Sequence, residues 1–360
     1  KYNGSPGLKP GNLGNPNLSW QSNAIFNVGL DFSILHGVLD GSVEYFNSQR
    51  TKLLGQIPQA GTTGFKNVTA NSGQVVDKGF EVQLNSRNIK TTSFSWTSSF
   101  NISFLKNRIK NLAVDGQLIS SYNDGAPTHI LKIGQPIGTF IGVKFAGVDQ
   151  QTGDAMYFNN LGAKIRADQV NFSRDETIIG KARPDYFGGL GNNLVYNNWE
   201  LNISMPFSIG NQVFNTIRST TEALGWSSAS NPGAASTAYV WANTTQNSYD
   251  RRWKKPGDIT NIPRASFLAQ AWYPNGSQYL ENASFLKIKT VNLGYTFHFK
   301  RFINSMKLYA QVQNLYTFTK YTGFDPEVSS TGGGNEQTAG IDYAAYPPAR
   351  TFTFGINLGL

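Results

Sequence analysis

The segment "ARTFTFGINLGL" (residues 349–360) decides the fold, because its apolar and polar residues alternate without a break. Phe352, Phe354, Ile356 and Leu358 share one face of an extended chain, and small neutral residues share the other. Period two predicts a β-strand. The polar face carries only Thr, Gly and Asn, without the charges that a water-exposed sheet face usually shows. The strand therefore needs an apolar environment outside and a neutral, polar one inside.

Composition limits the classes of protein that fit. The chain has 360 residues, 37 Gly, no Cys, 13% aromatic and only 15% charged residues. The absence of Cys excludes disulfides and thiolate metal sites within this sequence. No apolar run approaches about 18 residues, so the sequence contains neither a transmembrane helix nor a signal peptide. The Gly/Pro/Asn-rich start resembles an internal segment, and we expect further sequence upstream.

Enzymatic and nucleic-acid functions have little support in the sequence. The formal net charge is +9, but Lys and Arg are scattered, and the densest cluster (249–258) is favoured as a solvated loop over a phosphate-binding patch. The three histidines, His36, His129 and His298, show no metal-ligand spacing. No nucleophile motif, zinc motif or phosphate-binding loop is present. We therefore expect no catalytic residues, no metal, no cofactor and no nucleic-acid partner.

Alternating segments recur along the whole chain and predict nine clear strands. A weaker strand is predicted near 138–148, and no amphipathic helix is convincing. The nine predicted strands lie near 22–34, 38–49, 78–88, 92–106, 185–196, 199–215, 283–299, 305–318 and 349–360. Short connections alternate with long ones at about 50–77, 107–184, 216–282 and 319–348.

Strand length and connection order favour a membrane barrel over a soluble β-sandwich. Several predicted strands reach about 12–16 residues, whereas soluble strands usually have about 5–6. Tight turns on one side and long loops on the other are typical of outer-membrane barrels. The sequence predicts an all-β, antiparallel transmembrane β-barrel whose apolar faces meet outer-membrane lipid. Because bacterial barrels normally have an even strand number, nine strands predict that residues 1–360 form the C-terminal part of a larger barrel.

Several ordered blocks then point to a family. They are "GNPNLSWQSNAIFNVGLDF" (14–32), "LDGSVEYFNSQRTKLL" (39–54), "VVDKGFEVQLNSRNI" (75–89), "DETIIGKARPDYFGGLGNNLVYNNWEL" (175–201), "YLENASFLKIKTVNLGYTF" (279–297), "MKLYAQVQNLYTFTKYTGFDPEV" (306–328) and "YPPARTFTFGINLGL" (346–360). Together they resemble the C-terminal barrel region of SusC/RagA-type TonB-dependent outer-membrane transporters of Bacteroidetes-type bacteria.

The resemblance implies a full architecture and a function. It implies a barrel of about 22 strands closed by a plug domain that lies upstream of this chain. It also implies import of a bulky nutrient, an oligosaccharide or a peptide, across the outer membrane of a Gram-negative bacterium. The TonB–ExbB–ExbD system would supply energy through the missing N-terminal region, and a SusD-like surface lipoprotein would cap the mouth. A passive porin and a surface β-protein acting as an adhesin remain alternatives.

The aromatic residues of the 216–282 connection are the candidate ligand or partner contacts. Two interpretations are open: stacking on a ligand at the mouth, or a small core of the loop itself with a surface for a lid partner. The second is favoured, because long connections should be disordered unless they pack on something. The candidate residues are Trp226, Trp241, Trp253, Trp272 and Tyr273.

A turn at residues 149–154 departs from a pattern of the family. Members often carry a calcium-binding insertion after D-x-x-T-G-D. Here Asp149, Thr152, Gly153 and Asp154 are present, but no D-x-[DN]-x-[DN]-G run follows. The oxygen ligands for Ca²⁺ are too few, and a plain hairpin turn is favoured.

Overall fold

The computed structural model describes residues 13–120, 127–222, 244–266, 276–301, 303–328 and 336–359. Its strands are β1 (Ser22–Ile34), β2 (Leu39–Pro58), β3 (Asn67–Lys90), β4 (Phe94–Asn111), β5 (Gln117–Ser120), β6 (Pro127–Leu131), β7 (Thr139–Gly142), β8 (Phe145–Val148), β9 (Ala155–Phe158), β10 (Lys164–Arg166), β11 (Thr177–Lys181), β12 (Tyr186–Tyr196), β13 (Trp199–Ile209), β14 (Gln212–Asn215), β15 (Leu280–Asn282), β16 (Phe285–Arg301), β17 (Ile303–Thr319), β18 (Ile341–Asp342) and β19 (Thr351–Gly359). The α-helices are short: α1 (Phe172–Asp175), α2 (Thr216–Thr221) and α3 (Gln246–Arg251). Among the described residues, no helix is long and apolar enough to cross a membrane.

Nine long strands form one antiparallel sheet, called the wide sheet below. Its order is β1-β2-β3-β4-β12-β13-β16-β17-β19, so strands adjacent in the sheet follow one another along the chain once the insertions are set aside. These are the nine strands predicted from the sequence. The all-β, antiparallel prediction is therefore confirmed.

Some predicted boundaries are wrong. The connection predicted at 50–77 spans only residues 59–66, because β2 and β3 continue well past the expected ends. The strand predicted at 199–215 stops at Ile209, where Gly210 takes a positive φ of 89° and its N–H donates to Ser284 Oγ. The weak strand predicted at 138–148 is two strands, β7 and β8, in different small sheets.

The register of the wide sheet keeps one face apolar across its width. Leu30 pairs with Val43, Val43 with Val82, and Val82 with Ile102. On the later strands, Leu293 pairs with Ala310 and lies opposite Leu201, and Phe354 of β19 is 80% exposed. A slip of one residue between any two strands would move a polar row into this face. Among the described residues, this predominantly apolar face is thus an outer surface without protein cover, as lipid contact requires.

The opposite face is polar and concave. One row runs across β12, β13, β16 and β17 as Asn193, Asn202, Asn292 and Gln311, paired in register. The amide of Asn193 donates to Asn202 Oδ1 at 2.7 Å, and Asn292 donates to Gln311 Oε1 at 3.2 Å. Beside this row, Lys307 Nζ lies 2.5 Å from a carboxylate oxygen of Glu200. Side-chain hydrogen bonds therefore cross-link the strands on the concave face.

Short turns and long connections lie at opposite ends of the wide sheet. The turns at 35–38, 91–93 and 197–198 share one end, and Asn197 in the two-residue turn has the positive φ of 50° that tight hairpins need. At the other end lie three long connections: the first (112–185), the second (210–284) and the third (320–350). Their described parts together are called the mouth layer below.

The mouth layer has a hydrophobic core of its own. The core cluster consists of Phe140 from the first connection, Phe214 and Tyr279 from the second, and Ile341 from the third, all at most 3% exposed. β14 and β15 of the second connection form a small sheet with β18 of the third. The described parts of these connections thus pack on one another, in keeping with the expectation that long connections are ordered only where they pack on something.

Candidate functional site: the concave face and the mouth layer

A cavity lies on the concave face near the short turns. Its volume is about 580 Å³. Neutral amides and hydroxyls dominate the lining, with one acidic and one basic residue at its border, and the lining includes Asp40, Asn85, Arg87, Thr97, Ser99, Asn193, Asn202, Ser204 and Thr290. Such a surface can form many weak hydrogen bonds to water or to a polar solute.

Buried ion pairs attach the mouth layer to the ends of the strands. Lys287 of β16 is 2% exposed and lies 3.2 Å from Asp325 Oδ1 of the third connection, with Glu327 as a second partner. On β2, the partly exposed Arg50 lies 3.7 Å from Glu336 of the third connection and 2.7 Å from Asp77 of β3. Removing one partner of such a buried pair leaves an unpaired charge, so these contacts specify where the third connection sits.

Arg218 at the start of α2 joins the second connection to itself and to the third. Its guanidinium contacts Glu222 at 2.7 Å and Glu281 at 3.0 Å, and Glu281 also accepts from the N–H and hydroxyl of Thr322 at 2.8 Å. Burial acts to lower the pKa of Arg218, but the bonds and charges of the two carboxylates outweigh it and raise that pKa. Burial raises the pKa of the Glu222 carboxyl, and Arg218 partly offsets this. The cluster therefore links the second connection to the third through charged side chains.

His129 joins the first connection to the third. The His129 ring is fully buried, and its centroid lies 4.5 Å from the centroid of the Phe140 ring. Its Nε2 lies 2.9 Å from the carbonyl oxygen of Ala339. Burial lowers the pKa of His129 to about 4, against a weaker upward effect of the Ala339 hydrogen bond. The imidazole is therefore neutral over the physiological range and acts as a structural hydrogen-bonding group.

We expect this histidine to make the stability of the mouth layer depend on pH. Well above pH 6.5, the ordinary pKa of histidine, the imidazole is neutral in the folded and unfolded states. As the pH falls toward 4, the unfolded state takes up the proton first, so stability is lost, by about 2 kcal/mol at pH 5. Hydrogen exchange measures the free energy of opening of the mouth layer in the wild type and in His129→Gln. The advantage of the wild type should be smaller at pH 5 than at pH 7 by about this amount.

The comparison with the variant is needed because a second titrating group changes the stability with pH in the opposite direction. Burial raises the pKa of Glu176 to about 8, and this carboxyl adds stability as the pH falls. Glu176 is present in both proteins, so its effect cancels in the difference. His36→Gln in the turn at 35–38 is the control, and an equal narrowing for that variant would contradict the assignment.

Trp253 is the one predicted contact residue that lies within the described part of the chain. Its indole N–H donates to the carbonyl oxygen of Gln150 at 3.1 Å, and its ring covers Gly153. Arg264 completes the contact with an ion pair to Asp154 at 2.8 Å and a backbone bond to Gly153 at 2.9 Å. Trp253 thus holds the 244–266 segment on the turn 149–154. The other four predicted residues, Trp226, Trp241, Trp272 and Tyr273, lie outside the described residues.

In this structure the turn at 149–154 is the contact site of the 244–266 segment. Asp149 Oδ1 accepts the N–H groups of Gln151 and Thr152 at 2.8 and 2.9 Å, and these bonds lower the pKa of the Asp149 carboxyl. The Asp154 carboxylate forms an ion pair with Arg264. Within the described ranges, no group of three or more His, Asp or Glu side chains is arranged to hold a metal ion.

Gly153→Ala is expected to open this contact. Gly153 has a φ of 75°, and an added Cβ would overlap the Trp253 ring. The combined strain and overlap should cost about 1–3 kcal/mol locally. Hydrogen exchange of 244–266 should rise. Gly162→Ala is the matched control, because its φ is 78° and no atom lies within 4 Å of the added Cβ. Equal effects of the two variants would assign the change to backbone strain alone.

A second cavity, of about 400 Å³, lies in the mouth layer. It is bordered by α2, α3 and the third connection, and its lining includes Arg218, Glu222, Asn247, Arg251, Asn261, Thr322 and Phe324. Sequence reasoning assigned no role to these lining residues, and it considered His129 only as a metal ligand. Their partners are distant along the chain, as in the 210 residues between His129 and Ala339, and no local motif signals such contacts.

Comparisons with known proteins agree with this architecture. Residues 2–187 match the family described as TonB dependent receptor-like, beta-barrel. TonB-dependent receptor P3 of Formosa agariphila is 30% identical over 96% of this chain and 34% of its own length. TonB-dependent receptor SusC of Bacteroides thetaiotaomicron is 26% identical over 96% of this chain and 32% of its own length.

A solved structure has the same fold. The RagAB peptide transporter superimposes with a TM-score of 0.80 over 99% of this chain and 37% of that chain, at 23% sequence identity. This chain spans about a third of the length of the curated relatives it matches. The family match covers more than half of the chain, and the wide sheet has the apolar outer face and polar concave face of a membrane barrel wall. The chain belongs to the TonB-dependent receptor-like β-barrel family.

Proposed function

We propose that the complete protein imports a bulky nutrient, an oligosaccharide or a peptide, across the outer membrane of a Gram-negative, Bacteroidetes-type bacterium. The single observation that carries this proposal is the combination of a lipid-facing wall with a wide, neutral, hydrogen-bonding concave face. A bulky polar solute needs such a surface, because many weak contacts guide it without trapping it. The names of the relatives support receptor-mediated uptake rather than enzymatic chemistry.

In this proposal, the mouth layer lies on the extracellular side and the short turns on the periplasmic side. A plug domain encoded upstream closes the barrel, and the TonB–ExbB–ExbD system supplies the energy. A SusD-like lipoprotein caps the mouth and shares the ligand. The folded mouth layer supports this partner, because it offers a preformed surface that includes the exposed Ile259, Phe324 and Tyr346.

The test compares uptake in three strains: wild type, a deletion of this gene, and a deletion of TonB. Each receives the same labelled oligosaccharides and peptides at a concentration that limits growth. Loss of uptake of one substrate class in both deletions is the expected result. Uptake that needs this gene but persists without TonB would instead establish a passive pore.

The partner is tested separately by mild detergent purification through a tag on the full-length protein. A surface lipoprotein should copurify in a stoichiometric amount. A barrel that purifies alone and still imports its substrate would contradict the lid proposal while leaving TonB-dependent uptake intact.

A further inference from the structure

The cavity of about 400 Å³ in the mouth layer, called the mouth cavity below, is lined by polar side chains that have no protein partner. Asn247 and Arg251 of α3 belong to the lining, and so does Asn261. Within the described ranges, none of these three side chains forms a hydrogen bond or an ion pair with the protein. Two amides, each a donor and an acceptor, and one guanidinium, a donor only, are therefore free to bind a polar solute in the cavity.

Arg251 gives the mouth cavity a positive charge in excess. The Glu222 carboxylate also belongs to the lining, but Arg218 occupies both of its oxygens, at 2.7 and 3.2 Å. The charged residues of the lining are two arginines and one glutamate, which leaves one positive charge over. Glu281 lies outside the lining and accepts hydrogen bonds from Arg218 and Thr322. A guanidinium fork left free in this way can bind a carboxylate or another oxyanion through two parallel hydrogen bonds.

The end of α3 carries further charge of the same sign. Arg252 and Lys254 lie over the Tyr249 ring, 5.2 and 5.7 Å from its centroid, and this contact limits where the two cations can move. The Asp258 carboxylate of the same turn accepts the backbone N–H groups of Lys254 and Lys255, at 2.9 and 3.0 Å. The sequence favours a solvated loop for these cations. A local excess of cations at the surface raises the concentration of an anion beside the cavity.

An exposed aromatic ring completes the mouth cavity. Phe324 of the third connection is 68% exposed and belongs to the lining. A flat apolar ring beside amide groups suits a sugar, because a sugar ring presents C–H groups on its face and hydroxyls at its edge. A peptide bound through its backbone would instead need a free sheet edge. The one strand residue of the lining, Asn215, ends β14, which is paired on both sides by β15 and β18.

We propose that the mouth cavity binds one unit of an anionic oligosaccharide. Arg251 holds the carboxylate or sulfate group of that unit. Asn247 and Asn261 form hydrogen bonds with its hydroxyls, and Phe324 packs against its ring. The cavity volume lies in the range of small-ligand sites. The inference rests on the import function proposed above and selects one substrate class within it.

The test measures binding to the full-length protein in mild detergent, freed of any lipoprotein that accompanies it, by isothermal titration calorimetry. The probes are oligogalacturonate, oligoalginate and a sulfated galactan oligosaccharide, each compared with its neutral form made by carboxyl reduction or desulfation. The wild type should bind at least one charged form about tenfold or more tightly than its neutral form, the usual effect of a hydrogen bond to a charged group. Arg251→Gln should bind the two forms within about twofold of each other.

Arg252→Gln is the matched control, because it removes the same charge from a side chain that packs on Tyr249 outside the lining. It should keep the wild-type preference for the charged form within about twofold. The double variant Asn247→Ala, Asn261→Ala should weaken binding of the charged and neutral forms alike, by about tenfold. All variants should show the same heat-dependent gel shift as the wild type.

Four results would overturn the inference. They are no saturable binding of any charged probe, an unchanged preference in Arg251→Gln, an equal loss of preference in Arg252→Gln, and tighter binding of a short glutamate peptide than of every oligosaccharide. TonB-dependent uptake of a neutral substrate, without binding of the charged probes, would remove this inference alone. Binding that depends on Arg251, together with uptake that persists without TonB, would support the site and contradict only the import proposal.

Discussion

Ile102→Lys is expected to lower the stability of the folded barrel by about 1–3 kcal/mol, because a cation on the lipid face costs about 2–4 kcal/mol at the bilayer centre and less toward the interfaces. Ile102 lies near the middle of β4, between Val82 and Gly188 on the neighbouring strands. A lysine there points into hydrocarbon, two residues from Phe104, which stands with Phe80 and Tyr186 in a band of aromatic side chains. The measurement is urea unfolding of the full-length protein in lipid vesicles, followed by the gel shift between folded and unfolded forms.

Asn101→Lys is the matched control, since residues 101 and 102 are adjacent but face opposite sides of the sheet. Asn101 pairs with Gln83 and lies opposite Gly189, so a longer polar side chain has space and water on the concave face. Its effect should stay within about 0.5 kcal/mol. Similar losses for both variants would show that the outer face does not meet hydrocarbon.

Phe140→Ala is expected to loosen all three long connections together. The Phe140 side chain is fully buried in the core cluster with Phe214, Tyr279 and Ile341. Removing a buried phenyl ring typically costs about 3–5 kcal/mol, a large part of the stability of a layer this size. Hydrogen exchange should therefore accelerate in the described parts of the first, second and third connections, while the middle of the wide sheet keeps its protection.

The control is Tyr346→Ala, because Tyr346 lies in the third connection and is 94% exposed. It removes a ring of similar size from the same layer without opening the core. The informative observation is which segments exchange faster in Phe140→Ala. Faster exchange confined to residues 127–142 in Phe140→Ala would mean that the three connections are ordered independently, and the single-layer description would be wrong.

The nine strands could be predicted because alternation is a local property. In β4, residues 94–104 already show which side chains face lipid, and the structure keeps that assignment through eight strand pairings. The ends of the strands were harder to predict from the sequence. Residues 50–58 and 67–77 lack clean alternation, and backbone pairing between β2 and β3 across bulges, rather than side-chain pattern, extends both strands.

The aromatic candidates show where local reasoning stops. Of the five predicted residues, Trp253 is described, and it contacts a turn of the first connection about a hundred residues away. Its functional role as a ligand contact stays a prediction. His129 and Arg218 of the long connections and Lys287 of β16 organise the mouth layer, but none of them differs from an ordinary polar residue until its partner is known.

The alternating sequence alone specifies the strands, their two faces and the antiparallel wall, because a period of two residues leaves few other ways to separate apolar from polar side chains. The mouth layer is different. Its core joins Phe140 to Ile341, and its sheet pairs β14 with β18 in parallel, across sequence separations that no local pattern records. The wide sheet brings these segments to one end of the barrel wall, and burial of their shared apolar surface then selects their pairing.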